Sequence, residues 1–145
     1  MSEEALLFRL AGFELKVLRR QFPNATDYWD GNWLMVECEC RAPGATVRAN
    51  GPFVHLCEVV QLKCALEALQ LGETGEKIID LMEPELKMKF ETGSRGHLQF
   101  SVALTSNHLD QSHRFSFDID QSYLPEAIQQ CSAILTAYPV RGVAE

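Results

Sequence analysis

Apolar residues in this chain recur at every second position, over segment after segment. Leu6, Phe8 and Leu10 alternate in this way, as do Phe13, Leu15 and Val17. So do Leu34, Val36, Cys38 and Cys40, and after them Ala45, Val47 and Ala49. The pattern returns at Leu86, Met88 and Phe90, at Leu98, Phe100, Val102 and Leu104, and at Phe115, Phe117 and Ile119. Successive side chains of a strand point to opposite faces, so a period of two predicts strands with one apolar and one wet face. Residues 77–82 are apolar enough for one more strand. Turn residues separate the runs: Gly12, Pro43-Gly44, Pro84 and Gly93-Ser94-Arg95-Gly96.

Two stretches break the alternation. Residues 53–71 carry Leu56, Val59, Leu62, Leu66 and Leu69 at helical spacing, ending near Gly72. Pro52 would stand in the first turn, where a missing N–H is tolerated. A second helix is predicted over residues 124–138, with Pro125 in its first turn and Pro139 after its end. The order is strands, helix, strands, helix, and residues 31–71 and 96–138 share a topology without sharing a sequence. Strands joined by short turns pair antiparallel, and helices then cover one face. The expected fold is α+β: about eight strands in one curved antiparallel sheet or two half-sheets, with two helices on one face. A chain of 145 residues suits one domain spanning 1–145, with residues 139–145 expected to fray.

The formal charge is −7, from 20 acids and 13 bases. Phosphate recognition and anionic membranes both call for a cationic face, so neither nucleic acid nor membrane is the expected partner. A basic protein partner is compatible, and so is acidity that only keeps the chain soluble. No apolar run approaches the roughly 18 residues of a membrane span. Met1-Ser2-Glu3-Glu4 lacks the basic start of a secretory signal. With five cysteines and no CxxC pair, reduced thiols in a cytoplasm are expected. Cys38 and Cys40 share the apolar strand face and read as buried packing residues, since free cysteine packs as a small hydrophobe.

No catalytic constellation assembles. There is no GxSxG elbow, and Gly93-Ser94-Arg95-Gly96 is a hairpin turn and not a phosphate loop. His108 and His113 share a polar loop, but a metal site needs three or more ligands. Asp118 and Asp120 flank Ile119 and could do acid–base work only if buried; a strand end leading into a helix cap is the simpler account. The chain is therefore expected to be no enzyme and to hold no metal or cofactor.

The least ordinary segment is Tyr28-Trp29-Asp30-Gly31-Asn32-Trp33-Leu34, which holds both tryptophans. Such residues make interface hot spots, or they pin the entry of a core strand. Four acids and no base lie between Arg20 and Arg41, and three acids and no base between Arg114 and Arg141. If neighbours, these segments would form one acidic surface. The stretch from Asp27 to Leu34, the run Phe115-Ser116-Phe117-Asp118-Ile119-Asp120-Gln121-Ser122-Tyr123-Leu124-Pro125, and Arg95-Gly96-His97-Leu98 together resemble the WapI-family immunity proteins, in order and spacing, over residues 6–140. The resemblance implies a small cytoplasmic bacterial protein that neutralises a polymorphic toxin by binding it. Several such toxins are nucleases with basic active-site surfaces. It implies no catalytic residue. The contact candidates it supplies are Tyr28, Trp29, Asp30 and Asn32, and then Asp118, Asp120 and Tyr123; the same motifs could instead be a folding signature. Two other classes stay open: a small-molecule site around Asp118, Asp120 and His113, and a homodimer through an outward strip including Met35 and Leu18.

Overall fold

The computed structural model describes residues 6–144. Met1-Ser2-Glu3-Glu4, on which the expectation of no secretory signal rests, lies outside the described residues. The first half runs β1 (Leu6–Leu10), β2 (Phe13–Arg20), a single-turn helix α1 (Tyr28–Gly31), β3 (Trp33–Ala42), β4 (Ala45–His55) and α2 (Leu56–Gln70). The second half runs β5 (Glu76–Ile79), β6 (Leu86–Thr92), β7 (His97–Leu104), β8 (Arg114–Asp120) and α3 (Leu124–Ala137), with a 3-10 turn at Gln121–Tyr123 before α3. Each half is a four-stranded antiparallel meander, β1-β2-β3-β4 and β5-β6-β7-β8, followed by a helix. The eight strands thus form two sheets, and the topological repeat seen in the sequence extends over both halves.

The sheets meet through their apolar faces. Phe13 of β2 packs edge-on to Phe100 of β7 at 6.3 Å, and Phe90 stacks on Phe100 at 4.8 Å. Leu34, Val36, Cys38 and Cys40 are all buried on the inner face of β3, as the alternation predicts. Burial pushes the Cys40 thiol up to about 12 and Cys38 upward as well, so both stay protonated packing groups. The α3 stripe of Leu124, Ala127, Cys131 and Ile134 packs α3 on α2 and along β1, while α2 lies against β4 and β5.

Two boundaries differ from expectation. The strand before α2 runs to His55, so Pro52 sits in β4 and not in a helix. β4 is an edge strand, and the register against β3 slips between Val36↔Gly51 and Leu34↔Val54. Pro52 falls inside that irregularity, where no ladder N–H is missed. In the tail expected to fray, the chain at 139–141 is hydrogen-bonded into the first half, as described next.

Candidate functional site

The aromatic segment folds as α1 because its ends are satisfied locally. Asp27 is extended, and its carboxylate accepts from the Asp30 amide at 3.0 Å, an N-cap on a helix one turn long. A side chain at Gly31 would bring its Cβ within 2.8 Å of the Ala25 carbonyl. Asn32 ends the turn and is wholly buried. Its amide donates to the Tyr28 carbonyl at 2.7 Å and to the Arg141 carbonyl at 2.8 Å, and its oxygen accepts from the Arg141 amide at 2.8 Å. Arg20, also buried, donates to the Gly31 and Pro139 carbonyls at 2.6 Å each and lies over the Tyr138 ring. Arg141 in turn donates to the Pro23 and Ala25 carbonyls at 2.7 and 2.9 Å. Asn32, a contact candidate by resemblance, is fully buried and fastens the C-terminal strap to α1, the role a folding signature would have.

Behind α1 stands His55. Its ring is surrounded by Trp33 at 5.0 Å, Tyr28 at 5.3 Å and Trp29 at 6.0 Å, and Tyr28 and Trp29 meet edge to face at 4.9 Å. Its Nε2 lies 3.1 Å from the Tyr28 carbonyl and 3.2 Å from the Trp29 carbonyl, both pure acceptors, so Nε2 carries the proton. Nδ1 is then free to accept from the Cys57 amide at 3.2 Å, which makes His55 the N-cap of α2. Glu58 completes a capping box by accepting from the His55 amide at 2.8 Å, and its other oxygen accepts from the Met82 amide at 2.6 Å. Burial lowers the His55 pKa, against the pull of the two carbonyls, so the ring is held neutral. A hydrogen bond with Cys57, followed by burial, raises the Tyr28 phenol above its ordinary value. His55 and Glu58 were not singled out from the sequence; the available signal was H-x-x-E directly before an apolar helical run.

What this scaffold presents outward is Trp29, 49% exposed, and the exposed carboxylate of Asp30, with Tyr28 half-buried beneath them. The second motif lies elsewhere. Asp118 is exposed on the outer face of β8, opposite Gln99. Asp120 accepts from the Ser122 amide at 2.8 Å and from the Ser122 hydroxyl, capping the 3-10 turn; these bonds hold its pKa below the ordinary carboxylate value. Tyr123 is exposed at the start of α3. The strap that clasps Asn32 follows the end of the same 14-residue helix, so about 21 Å of helix separates the two motifs at 1.5 Å per residue. The acidic segments do not merge either: Glu37 and Glu39 project from the outer face of the first sheet and Asp118 from that of the second.

His113 precedes β8 and is bonded to Gln111, whereas Asp120 ends that strand, so these groups do not converge on a pocket. Among the described residues no three His, Cys, Asp or Glu side chains come together as a metal site. Leu18, 37% exposed, sits in a register slip of β2, and Met35 is half-buried opposite Arg19.

The family model described as "Immunity protein WapI-like family" matches residues 8–139. Among solved structures the chain is similar to MRP1/MRP2 of Trypanosoma bruciei, with 11% identity, coverage of 87% of this chain and 77% of that one, and a TM-score of 0.46. No curated protein matches the chain.

Proposed function

The chain belongs to the WapI-like immunity protein family, and on that premise we propose that it neutralises its toxin by direct, non-catalytic contact through the surface of α1. One observation carries this reading: a half-exposed tryptophan beside a free carboxylate, Trp29 and Asp30, on a single helical turn held by hydrogen bonds from Asn32, Arg20 and His55, with Arg141 fastening the segment before it. Tryptophan supplies large contact area and is enriched at binding hot spots. A surface already rigid before binding loses little conformational entropy on docking. The partner is a basic toxin domain, such as a nuclease, drawn by the charge of −7. The protein works in the cytoplasm, in keeping with its free cysteines. No helix among the described residues is long and apolar enough to cross a membrane.

Co-expression with the toxin encoded in the neighbouring reading frame tests this. Wild type is expected to protect the cell and to form a stoichiometric complex. Trp29→Ala is expected to weaken the complex by about 30-fold or more, the scale of a hot spot, while the variant still unfolds in one cooperative transition. Absence of both protection and complex would sink the proposal.

A further inference from the structure

A cleft opens beside Asp30, where connections from both halves converge. Its walls include Phe22, Asp30, Trp33 and Phe53 from the first half, and Glu83 and Glu85 from the β5–β6 connection of the second. Three carboxylates line it, and no lysine, arginine or histidine does. This sets it apart from the acids of the first sheet's outer face, where Glu14 pairs with Arg9, Glu37 with Lys16, and Glu39 with Arg41 and Arg48. Among the described residues no ion pair reaches Asp30, Glu83 or Glu85. One oxygen of Glu85 is fully buried and has no hydrogen-bond partner, a costly arrangement for a carboxylate. Phe22 is 44% exposed at the wall, and Trp29 and Met82, next in sequence to Asp30 and Glu83, are about as exposed.

We propose that this cleft receives an arginine- or lysine-bearing segment of the partner protein. The proposal rests on the immunity reading for the partner's identity, but the chemistry of the cleft stands by itself. The aliphatic stem of a long basic side chain packs on apolar walls while its head stays polar. A guanidinium stacks on an aromatic face, here Phe22 or Trp33, and donates to carboxylates in charge-assisted bonds. On rotation of its carboxylate toward the cleft, the unpaired Glu85 oxygen would gain a donor that the folded chain does not give it. Placing the cation between the halves also explains what Asp30 does in the aromatic motif: it forms one wall of a site whose other wall is far away in sequence.

The full chain can be titrated with a hexa-arginine peptide, following tryptophan fluorescence and amide NMR shifts. Saturable binding is expected, with shifts centred on Asp30, Glu83 and Glu85. Affinity is expected to fall about tenfold in Glu83→Gln and further in Glu83→Gln/Glu85→Gln, while Glu37→Gln, on the outer sheet face, leaves it unchanged. Binding that is equal in wild type and both cleft variants, or shifts confined to the outer face, would overturn the proposal. Glu83 is half-buried, and no hydrogen bond or ion pair among the described residues holds its side chain, so Glu83→Gln is expected to keep the fold and a folding defect in the double variant leaves the comparison intact. The neighbouring toxin separates the two readings. If it binds and Glu83→Lys leaves the complex unaltered, the cleft assignment is wrong and the immunity reading stands. If it does not bind while the peptide still fills the cleft, the immunity reading is wrong and the cation site stands.

Discussion

Asn32 and His55 show how much a single side chain's role depends on where its polar atoms end. Asn32 sits amid aromatic residues and resembles an interface residue, yet its bonds run to backbone groups of α1 and the C-terminal strap and to the buried Arg20 guanidinium. Asn32→Ala leaves those buried groups without partners and is expected to cost about 2–3 kcal/mol, from the roughly 1–3 kcal/mol for each unsatisfied buried group, read from urea denaturation. It should also loosen residues 139–141, visible as faster amide exchange at Arg141. His55 makes a prediction about pH. Burial sets its pKa below the ordinary 6.5, so the folded state holds fewer protons than the unfolded chain once the pH drops through that value. Its stabilising contribution is therefore complete above pH 6.5 and is lost as the pH falls below it. His55→Asn keeps an N-cap acceptor but does not titrate, so the decline in unfolding free energy between pH 7 and pH 5.5 should flatten. A slope unchanged from wild type would contradict this account of the ring.

At the scale of elements, the strands were the easiest to read and the short turns the hardest. Alternation is a local property of a strand, so Leu34 to Cys40 could be assigned to one face before any partner strand was known. The turn α1 was not legible, because a four-residue helix carries no period; it exists through the Asp27 cap and tertiary bonds. α2 begins at Leu56 and not at Phe53: Phe53 and Val54 are as apolar as helix residues, and only the β3 partner makes this stretch strand. Gly12 joins elements too. A Cβ there would lie 2.0 Å from the Arg41 carbonyl and 2.8 Å from the Phe117 ring. Neither neighbour can withdraw cheaply, the carbonyl least of all, so Gly12→Ala should cost at least about 2 kcal/mol, within the range for overpacking. A thermal melt of the variant checks it.

At the scale of the molecule, an aromatic seam packs the sheets of the two halves against each other. Phe100 touches Phe13, Phe90 and Phe117 from three different strands. Phe100→Ala should destabilise by about 3–5 kcal/mol, the usual cost of emptying a phenylalanine site in a core. Residues 72–145 expressed alone should give no cooperative melt by circular dichroism, because the apolar face of their sheet would lie open to water. The sequence by itself determined the strands and their apolar faces, the two long helices, the repeated order of elements and the burial of Cys38 and Cys40. All of these follow from the spacing of side chains along the chain, which is local information. The family pattern over residues 8–139 was legible for the same reason, being a matter of order and spacing. Only the tertiary structure decided that the strands divide into two sheets, that the two motifs stand at opposite ends of α3, and that Asn32 is a fastener. It alone brought Asp30 to a cleft shared with Glu83 and Glu85. Each of these depends on which surfaces meet, and residues more than 50 positions apart carry no mark in the sequence that they will become neighbours.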